Sequence, residues 1–291
     1  MRPFIKIAYG ILIAGLLIMG GYYFTVYNHA QRQLTSLKTQ QLAEQRFLVQ
    51  SRYQFPILSL TQSIDEKESS LLPLIFQKFL PQAPTLLHLG AHTGLHTLLA
   101  GRHLAPNGKI LAFEGHPKLV SLLKENLNLH HLEKKVSVFS MVPSSQSSSL
   151  SVCFDADPLP SADTPITQGY EQQLKGGNCH TITLKALDTL PLPKVDFIFI
   201  ENDIDTPSAI KGAYKLLEKS KWPALLIEPT LFLKSPEAHG LLTNLCKKGY
   251  TFYKLSLMNG LNLRIEKAEE KESSFDKNSY LLCSQQKLEI S

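Results

Sequence analysis

Two glycines followed by an acidic residue are the first feature of this sequence that suggests chemistry. Gly90 and Gly94 lie in a short stretch after an apolar run, and Glu114 ends the next apolar run about 20 residues later. Glycines at such a turn let the backbone approach a ligand, and the following helix offers its N-terminal N–H groups. An acidic residue at this spacing suits hydrogen bonds to a ribose diol. The pattern predicts a nucleotide site formed by His88, Gly90, Ala91, His92, Gly94 and Glu114.

Glu114 and the histidines also allow simpler interpretations. Because a helix is predicted to begin near Pro117, Glu114 alone could instead stabilise the N-terminus of that helix. His88, His92 and His96 are spaced four residues apart, as metal ligands on one face of a helix would be. His88, however, belongs to a predicted strand and His92 to a loop, and no carboxylate completes a ligand set. We therefore predict no metal site.

The sequence also holds four cysteines, Cys153, Cys179, Cys246 and Cys283. No two of them form a C-x-x-C pair, which argues against a zinc site or a thioredoxin-like motif. Their even number leaves disulfides open, so the cysteines do not decide the compartment.

An alternation of apolar strands and helices positions these groups. The predicted strands cover residues 86–89, 110–113, 136–140, 149–154, 195–200, 225–227, 251–257 and 280–283. The predicted helices cover residues 63–79, 94–103, 117–130, 207–218 and 236–248. Nearly continuous apolar strands that alternate with helices indicate a parallel sheet covered on both faces. We predict an α/β fold with a Rossmann-like, doubly wound sheet, an irregular excursion at 143–178, and an edge hairpin formed by 251–257 and 280–283.

The order of these motifs resembles the FkbM-type methyltransferases. That family has a loop Asp-Val-Gly-Ala-Asn-x-Gly, where this chain has His88-Leu-Gly-Ala-His-Thr-Gly94. The family's Ala-Phe-Glu-Pro corresponds to Ala112-Phe-Glu114-Gly, and its Ile-Lys-Ile-Asp-Val-Glu-Gly corresponds to Ile198-Phe-Ile-Glu201-Asn-Asp203-Ile204. The resemblance extends over about residues 84–257.

The resemblance implies a sheet of the class I methyltransferase type and S-adenosylmethionine as the cofactor. It also implies transfer of a methyl group to a hydroxyl, so the partner would be a small-molecule or glycan acceptor. Such an enzyme would hold donor and acceptor in line, and a carboxylate would take the proton of the hydroxyl. The candidates for this catalytic base are Glu201, Asp203 and Asp205.

The chain departs from the family pattern at several positions. His88 replaces an acidic residue, Phe199 replaces a Lys and Ile204 replaces a Gly, while Glu201 and Asp203 stand where the family has Asp and Glu. These changes support a second hypothesis, in which the domain is catalytically inactive and serves as an anchored binding or assembly module. A nicotinamide-dependent oxidoreductase is disfavoured because the sequence has no G-x-G-x-x-G motif. Nucleic-acid binding is not predicted, because no dense Lys/Arg stripe with interleaved aromatic residues occurs.

Residues 7–27 form an apolar run of 21 residues without a formal charge. At about 1.5 Å per residue, a helix of this length spans the roughly 30 Å hydrocarbon core of a bilayer. The run is long for a cleavable signal peptide. We predict one N-terminal transmembrane anchor at residues 1–30, a juxtamembrane helix or linker at 31–62, and a methyltransferase-like domain at 63–291.

Composition and flanking charges bear on where that domain lies. The 43% of hydrophobic and 19% of charged residues are typical of a globular protein. The net charge of +5 fits either an ordinary surface or attraction to the anionic surface of a lipid bilayer. Arg2 and Lys6 before the apolar run weakly favour a cytoplasmic N-terminus, which would export the rest. Because a methyltransferase needs its donor, we nevertheless predict a single-pass membrane protein with its domain in the cytoplasm.

Overall fold

A computed structural model describes residues 66–154, 178–201, 204–258, 262–268, 275 and 279–290 of the chain. These residues belong to one compact unit that spans Ile64–Ser291. The predicted anchor at 1–30, the whole of the predicted linker at 31–62, residues 63–65 and Asp203 lie outside the described residues. Among the helices that are described, none is long and apolar enough to cross a membrane.

The main sheet contains eight strands within the described part of the chain, in the order β10-β9-β11-β8-β7-β1-β2-β3. The strand bounds are β1 Thr85–Leu89, β2 Lys109–Glu114, β3 Val136–Ser140, β7 Phe197–Ile200, β8 Ala224–Ile227, β9 Thr251–Met258, β10 Asn262–Ala268 and β11 Tyr280–Ser284. Strands β3, β2, β1, β7 and β8 are parallel neighbours. This is the strand order of a Rossmann-type sheet, in which the chain first builds one half outward and then crosses to the other side.

The far edge of the sheet differs from the prediction. Strand β11 is antiparallel to both β8 and β9 and lies between them, and β10 pairs with β9 as the edge strand. The predicted antiparallel pairing of 251–257 with 280–283 is observed between β9 and β11. The two strands do not form a hairpin at the edge, however, because β10 follows β9 in the chain, pairs with it and is the edge strand. Burial is consistent with this arrangement: every residue of β11 is buried, whereas β10 has only two buried residues and carries charged side chains. A strand with charged side chains is suited to an edge.

Helices cover both faces of the sheet. Their bounds are α1 Glu66–Phe79, α2 Leu95–His103, α3 Pro117–Leu129, α4 Thr206–Lys211, α5 Tyr214–Lys219, α6 Pro229–Phe232 and α7 Ala238–Lys247. Alternate residues of β1 enter different cores: Leu86 packs with residues of α1, α2 and α3, while Leu87 packs with residues of α4, α5 and α7. The predicted Rossmann-like, doubly wound and mostly parallel sheet is thus confirmed.

A second, three-stranded sheet in the described residues was largely missed. Strands β4 Val142–Pro143, β5 Ser148–Phe154 and β6 Asn178–Lys185 form it in the order β4-β6-β5. The sequence predicted β5 but assigned the stretch before residue 178 to an irregular excursion. The signal for β6 was its Thr-Ile-Thr-Leu alternation, in which Ile182 is fully buried against the main core.

The helix predicted at 207–218 is divided into α4 and α5 at Gly212. A Cβ atom at Gly212 would collide with the backbone carbonyl of Ser144, which follows β4. The small sheet therefore approaches the main domain so closely at this point that only glycine fits.

Candidate functional site

The candidate site lies where the chain changes direction in the sheet. After β1 the chain builds β2 and β3 on one side, and β7 then pairs with β1 on the other side. In open α/β sheets ligands bind beyond the carboxyl ends of the strands at this switch point. The ends of β1 and β7 meet there, because the backbone N–H of Glu201 donates to the carbonyl of Leu89 at 3.0 Å.

The glycine turn after β1 is held against the end of β2. Both Gly90 and Ala91 donate their backbone N–H groups to the carbonyl of Phe113, at 3.0 and 2.9 Å. The turn needs unusual backbone angles, with φ of 85° at Gly90, 47° at His92 and 94° at Gly94. At Gly94 a Cβ atom would lie 2.5 Å from the side chain of Leu123 in α3. The positive φ at position 94 favours glycine, and a side chain there would also have to displace the end of the Leu123 side chain.

Glu114 joins the glycine turn to the turn that follows β2. Its carboxylate accepts a hydrogen bond from the backbone N–H of His92 at 2.9 Å and another from that of His116 at 2.7 Å. The side chain is buried, with 2% of the residue exposed. The alternative helix-capping role belongs to His116, whose Nδ1 accepts from the N–H of Lys118 at 3.2 Å.

A cluster of two histidines and a glutamate lies directly beside the turn. Glu201 Oε1 is 2.9 Å from His88 Nε2 and 2.7 Å from His96 Nδ1. His88 Nδ1 is 2.8 Å from the hydroxyl of Thr97. The ring of His88 also stacks on that of Phe199, with 4.9 Å between centroids. Both ring nitrogens of His88 therefore have hydrogen-bond partners within the protein. His88 can affect a bound ligand only indirectly, by positioning Glu201 and Thr97.

Burial and pairing decide the charges of this cluster. Burial lowers the pKa of His88, and the hydrogen bond to Glu201 only partly opposes this effect, so the imidazole is neutral. Burial alone would raise the pKa of Glu201. The electrostatic interaction with His96 and the hydrogen bonds from both histidines outweigh it and hold that pKa far below its ordinary value of 4.5. Glu201 is thus a buried carboxylate that two imidazoles keep ionised.

Asp205, another of the candidate bases, does not join this cluster. Asp205 caps α4, where its carboxylate accepts from the N–H of Ser208 at 3.2 Å. It also lines a separate cavity of about 730 Å³ beside α4, α5 and α7. Asp203 lies outside the described residues.

Phe199 and Ile204, two of the departures from the family pattern, are core residues. The ring of Phe199 makes edge contacts with Phe76 and Tyr280, at 5.6 and 6.1 Å between centroids. Ile204 is 6% exposed and packs in the core on the opposite face of the sheet. Both substitutions therefore add to packing, and neither places a polar group in the site.

The sequence missed the histidine–glutamate cluster. The sequence analysis considered carboxylates near the histidines only as metal ligands, and it did not predict that Glu201 contacts both His88 and His96. Even so, no group of three side chains among the described residues is arranged to hold a metal ion. A usable signal existed: two altered motif positions, 88 and 201, end strands that are neighbours in a Rossmann-type sheet.

No protein-family model and no curated protein matches the chain. Among solved structures, the O-methyltransferase from Bacillus cereus in complex with SAH has 14% identity and a TM-score of 0.46, and the match covers 83% of this chain and 89% of that one. The O-methyltransferase TomG from Streptomyces achromogenes, involved in tomaymycin synthesis and in complex with SAM, has 12% identity, a TM-score of 0.44, and coverage of 81% and 85%. The methyltransferase FkbM from Methylobacillus flagellatus has 13% identity, a TM-score of 0.48, and coverage of 78% and 52%. These likenesses are distant, and membership of the FkbM family does not follow from them.

Proposed function

We propose that this chain is an S-adenosylmethionine-dependent methyltransferase that acts on a hydroxyl group of a sugar or another small molecule. The observation that carries the proposal is the link between Glu114 and the backbone of His92 at the switch point of the sheet. It brings a buried carboxylate next to a glycine turn, as a bound ribose requires. SAM and SAH are also the ligands of two of the structures described above.

The residues present fit one end of the cofactor better than the other. Glu114 and the turn of Gly90 to Gly94 fit the ribose and the backbone contacts of an adenosine. At the other end, the acidic residue that the FkbM resemblance implies is His88, which is neutral and fully buried. The negative charge there comes from Glu201, which is held by two imidazoles.

For the proton of the acceptor hydroxyl, we favour Glu201 acting through His96. A carboxylate whose pKa lies far below 4.5 is a weak base by itself. Histidine is the side chain that most often serves as a general base. In this proposal His96 takes the proton, and Glu201 is the positioning residue that orients the ring. Asp203 stays as the alternative base.

Ligand binding by the full-length protein, purified in detergent, tests the cofactor assignment. Replacing Glu114 by Gln removes a charged acceptor worth about 1.5–3 kcal/mol, so affinity for SAM or SAH should fall roughly ten- to a hundred-fold. The exposed Glu133→Gln is the matched control. Calorimetry measures the affinities. The midpoint of thermal unfolding without ligand is the second measurement: an unchanged midpoint means that the variant is defective in binding, and a lower midpoint means that it has lost the two backbone hydrogen bonds of Glu114. Equal binding by both variants would show that Glu114 does not hold the ribose.

One observation favours the second hypothesis of an inactive, anchored binding or assembly module. His88 uses both ring nitrogens within the protein, and Glu114 accepts two backbone N–H groups, so these polar groups are satisfied without a cofactor. The same calorimetry separates the hypotheses. If the unmodified protein binds neither SAM nor SAH at millimolar concentration, the methyltransferase proposal fails and the binding module replaces it.

We also propose that the protein is a single-pass membrane protein whose bilayer anchor is the apolar run at residues 7–27, with the domain in the cytoplasm. The length and lack of charge of the run support the anchor. The need for the methyl donor supports the cytoplasmic side, against the weak bias of Arg2 and Lys6. A reporter enzyme that is active only in the cytoplasm, fused after Ser291, should therefore be active. Activity that requires export would reverse the orientation and favour the inactive module.

A further inference from the structure

Two cysteines lie directly opposite each other in the small sheet. Strands β5 and β6 pair antiparallel, and their register makes Cys153 and Cys179 Cα partners. Directly opposed residues of an antiparallel pair have Cα atoms about 4.5–5.5 Å apart. Disulfide-bonded cysteines have Cα atoms about 4.4–6.8 Å apart. The backbone thus brings these two positions within the distance that a disulfide needs, although they are far apart in sequence.

The two cysteine positions belong to the outer face of this strand pair. Residues two apart on a strand share a face, so Cys153 and Cys179 share the face of Ser151 and Thr181, which are also paired. Both Ser151 and Thr181 are exposed, whereas Ile182 on the other face of β6 is fully buried. The register therefore places the two cysteine positions on the face of the strand pair that carries the exposed residues Ser151 and Thr181.

The remaining two cysteines occupy different environments. Cys283 is fully buried in β11, and burial raises the pKa of its thiol, which keeps the reactive thiolate from forming. Cys246 is an exposed residue of α7. These two positions supply the internal controls for chemistry at the strand pair.

We propose that Cys153 and Cys179 are a redox site that forms a cross-strand disulfide. The oxidant is a small-molecule disulfide such as oxidised glutathione. The thiolate of one cysteine attacks it, forms a mixed disulfide and releases one glutathione thiol. The thiolate of the second cysteine then attacks the mixed disulfide, which closes the protein disulfide and releases the second glutathione thiol. Two protein thiols are oxidised and one glutathione disulfide is reduced, so protons and electrons balance. This inference is independent of the proposed methyltransferase function.

The proposed disulfide would lie in the small sheet, which contacts the candidate site. Strand β6 carries His180, whose ring lies 5.5 Å from that of His116. A Cβ atom at Gly115 would meet Ile182 of β6 and Val142 of β4. The small sheet therefore packs on the turn that follows Glu114. A disulfide between β5 and β6 would stabilise the folded protein, mainly because it reduces the conformational entropy of the unfolded chain. The oxidised protein should unfold at a higher temperature than the reduced one.

Thiol mapping of the full-length protein tests the proposal. The protein is equilibrated with mixtures of reduced and oxidised glutathione, quenched with N-ethylmaleimide, digested and analysed by mass spectrometry. The expected result is a linked peptide pair containing Cys153 and Cys179, with the loss of two hydrogens and of two labelled thiols. Cys246→Ser should leave this link intact. In Cys153→Ser, the remaining Cys179 should instead carry a glutathione adduct.

Two results would overturn the proposal. One is labelling of both Cys153 and Cys179 by N-ethylmaleimide at every glutathione ratio. The other is a link from either of them to Cys246, or between two chains. Thermal unfolding provides a second test, in which each protein is compared with its own reduced form. Reduction should lower the unfolding temperature of the unmodified protein. It should not lower that of the double variant Cys153→Ser/Cys179→Ser. Equal losses in both proteins would also contradict the assignment.

Discussion

At the ends of β1 and β7, two residues that depart from the FkbM-type pattern bind each other. His88 replaces one acidic residue and Glu201 replaces a shorter one, and their side chains meet at 2.9 Å. Two carboxylates at this distance would repel each other, whereas a neutral imidazole that donates to a carboxylate satisfies both groups. Considered separately, each change suggests a damaged site. Considered together, they form a compensated pair that also gains His96.

The first prediction concerns restoring the acidic residue at position 88. In the unmodified protein, folding lowers the pKa values of both His88 and Glu201. The unfolded chain therefore binds protons more readily than the folded protein, and the free energy of unfolding decreases as pH falls. The decrease begins near pH 6.5 for His88 and near pH 4.5 for Glu201. His88→Asp puts two carboxylates in a buried space and should cost at least about 3 kcal/mol at neutral pH. Because one carboxyl then has a raised pKa, the variant should become more stable as pH falls from neutral.

Urea unfolding over a pH series measures this difference in slope. His88→Asn is the matched control, since it keeps a polar side chain without a charge and should show neither the loss nor the reversed slope. A His88→Asp protein whose stability declines with falling pH in parallel with the unmodified protein would show that the contact with Glu201 is not made.

At the scale of single elements, the turn between β2 and α3 shows how a local motif was only partly read from the sequence. The acidic end of β2 and the proline at the first position of α3 were both predicted, and both are observed. The residue that caps α3, however, is His116, and Glu114 turns back to the glycine loop. Capping by histidine was not expected, because Ser, Thr, Asp and Asn are the usual residues at this position.

The second prediction follows from this cap. Burial, with smaller effects of His180 and Lys118, lowers the pKa of His116 from 6.5 to about 4. The unfolded chain therefore takes up a proton at higher pH than the folded protein does, and stability falls as pH decreases from 6.5 towards 4. His116→Asn provides a strong cap that does not titrate. The variant should lose less stability over this range than the unmodified protein, as measured by urea unfolding. Parallel pH curves for the two proteins would contradict the assignment.

The third prediction concerns the break between α4 and α5. A Cβ at Gly212 would strike the backbone of Ser144, which cannot move aside as the end of a side chain could. Gly212→Ala should therefore cost about 1–3 kcal/mol of stability, the usual range for overpacking. Gly240 in α7 is the matched control, since nothing lies within 4 Å of a Cβ there. Gly240→Ala should stabilise the protein by up to about 1 kcal/mol, because alanine favours a helix. Denaturant midpoints measure both changes, and a neutral Gly212→Ala would refute the close approach.

At the scale of the whole molecule, the parts that the sequence predicted are those fixed by local pattern. Continuous apolar runs such as 197–200 and 224–227 form the parallel strands, and the helices between them begin and end within a few residues of the predicted positions. The parts that were missed depend on distant partners. Strand β11 lies inside the sheet because it pairs with β8 and β9, and Glu201 binds His88 across 113 residues of sequence. No local periodicity encodes such pairings, although the switch-point rule locates the site that they form.

The last prediction concerns the association of the full chain with a membrane. Residues 7–27 carry no charge, and we propose that they cross the bilayer as one helix. Lysine at the centre of such a helix costs about 2.5–3.5 kcal/mol, so Leu16→Lys/Leu17→Lys should prevent insertion. Gln40→Lys/Gln41→Lys adds the same charges outside the apolar run and is the matched control. After cell fractionation and a high-salt wash, the unmodified and control proteins should stay in the membrane fraction until detergent is added. The Leu16→Lys/Leu17→Lys protein should be found in the soluble fraction. Release of the unmodified protein by salt alone would mean that the run does not anchor the chain, because salt screens surface charges but leaves apolar burial in lipid intact.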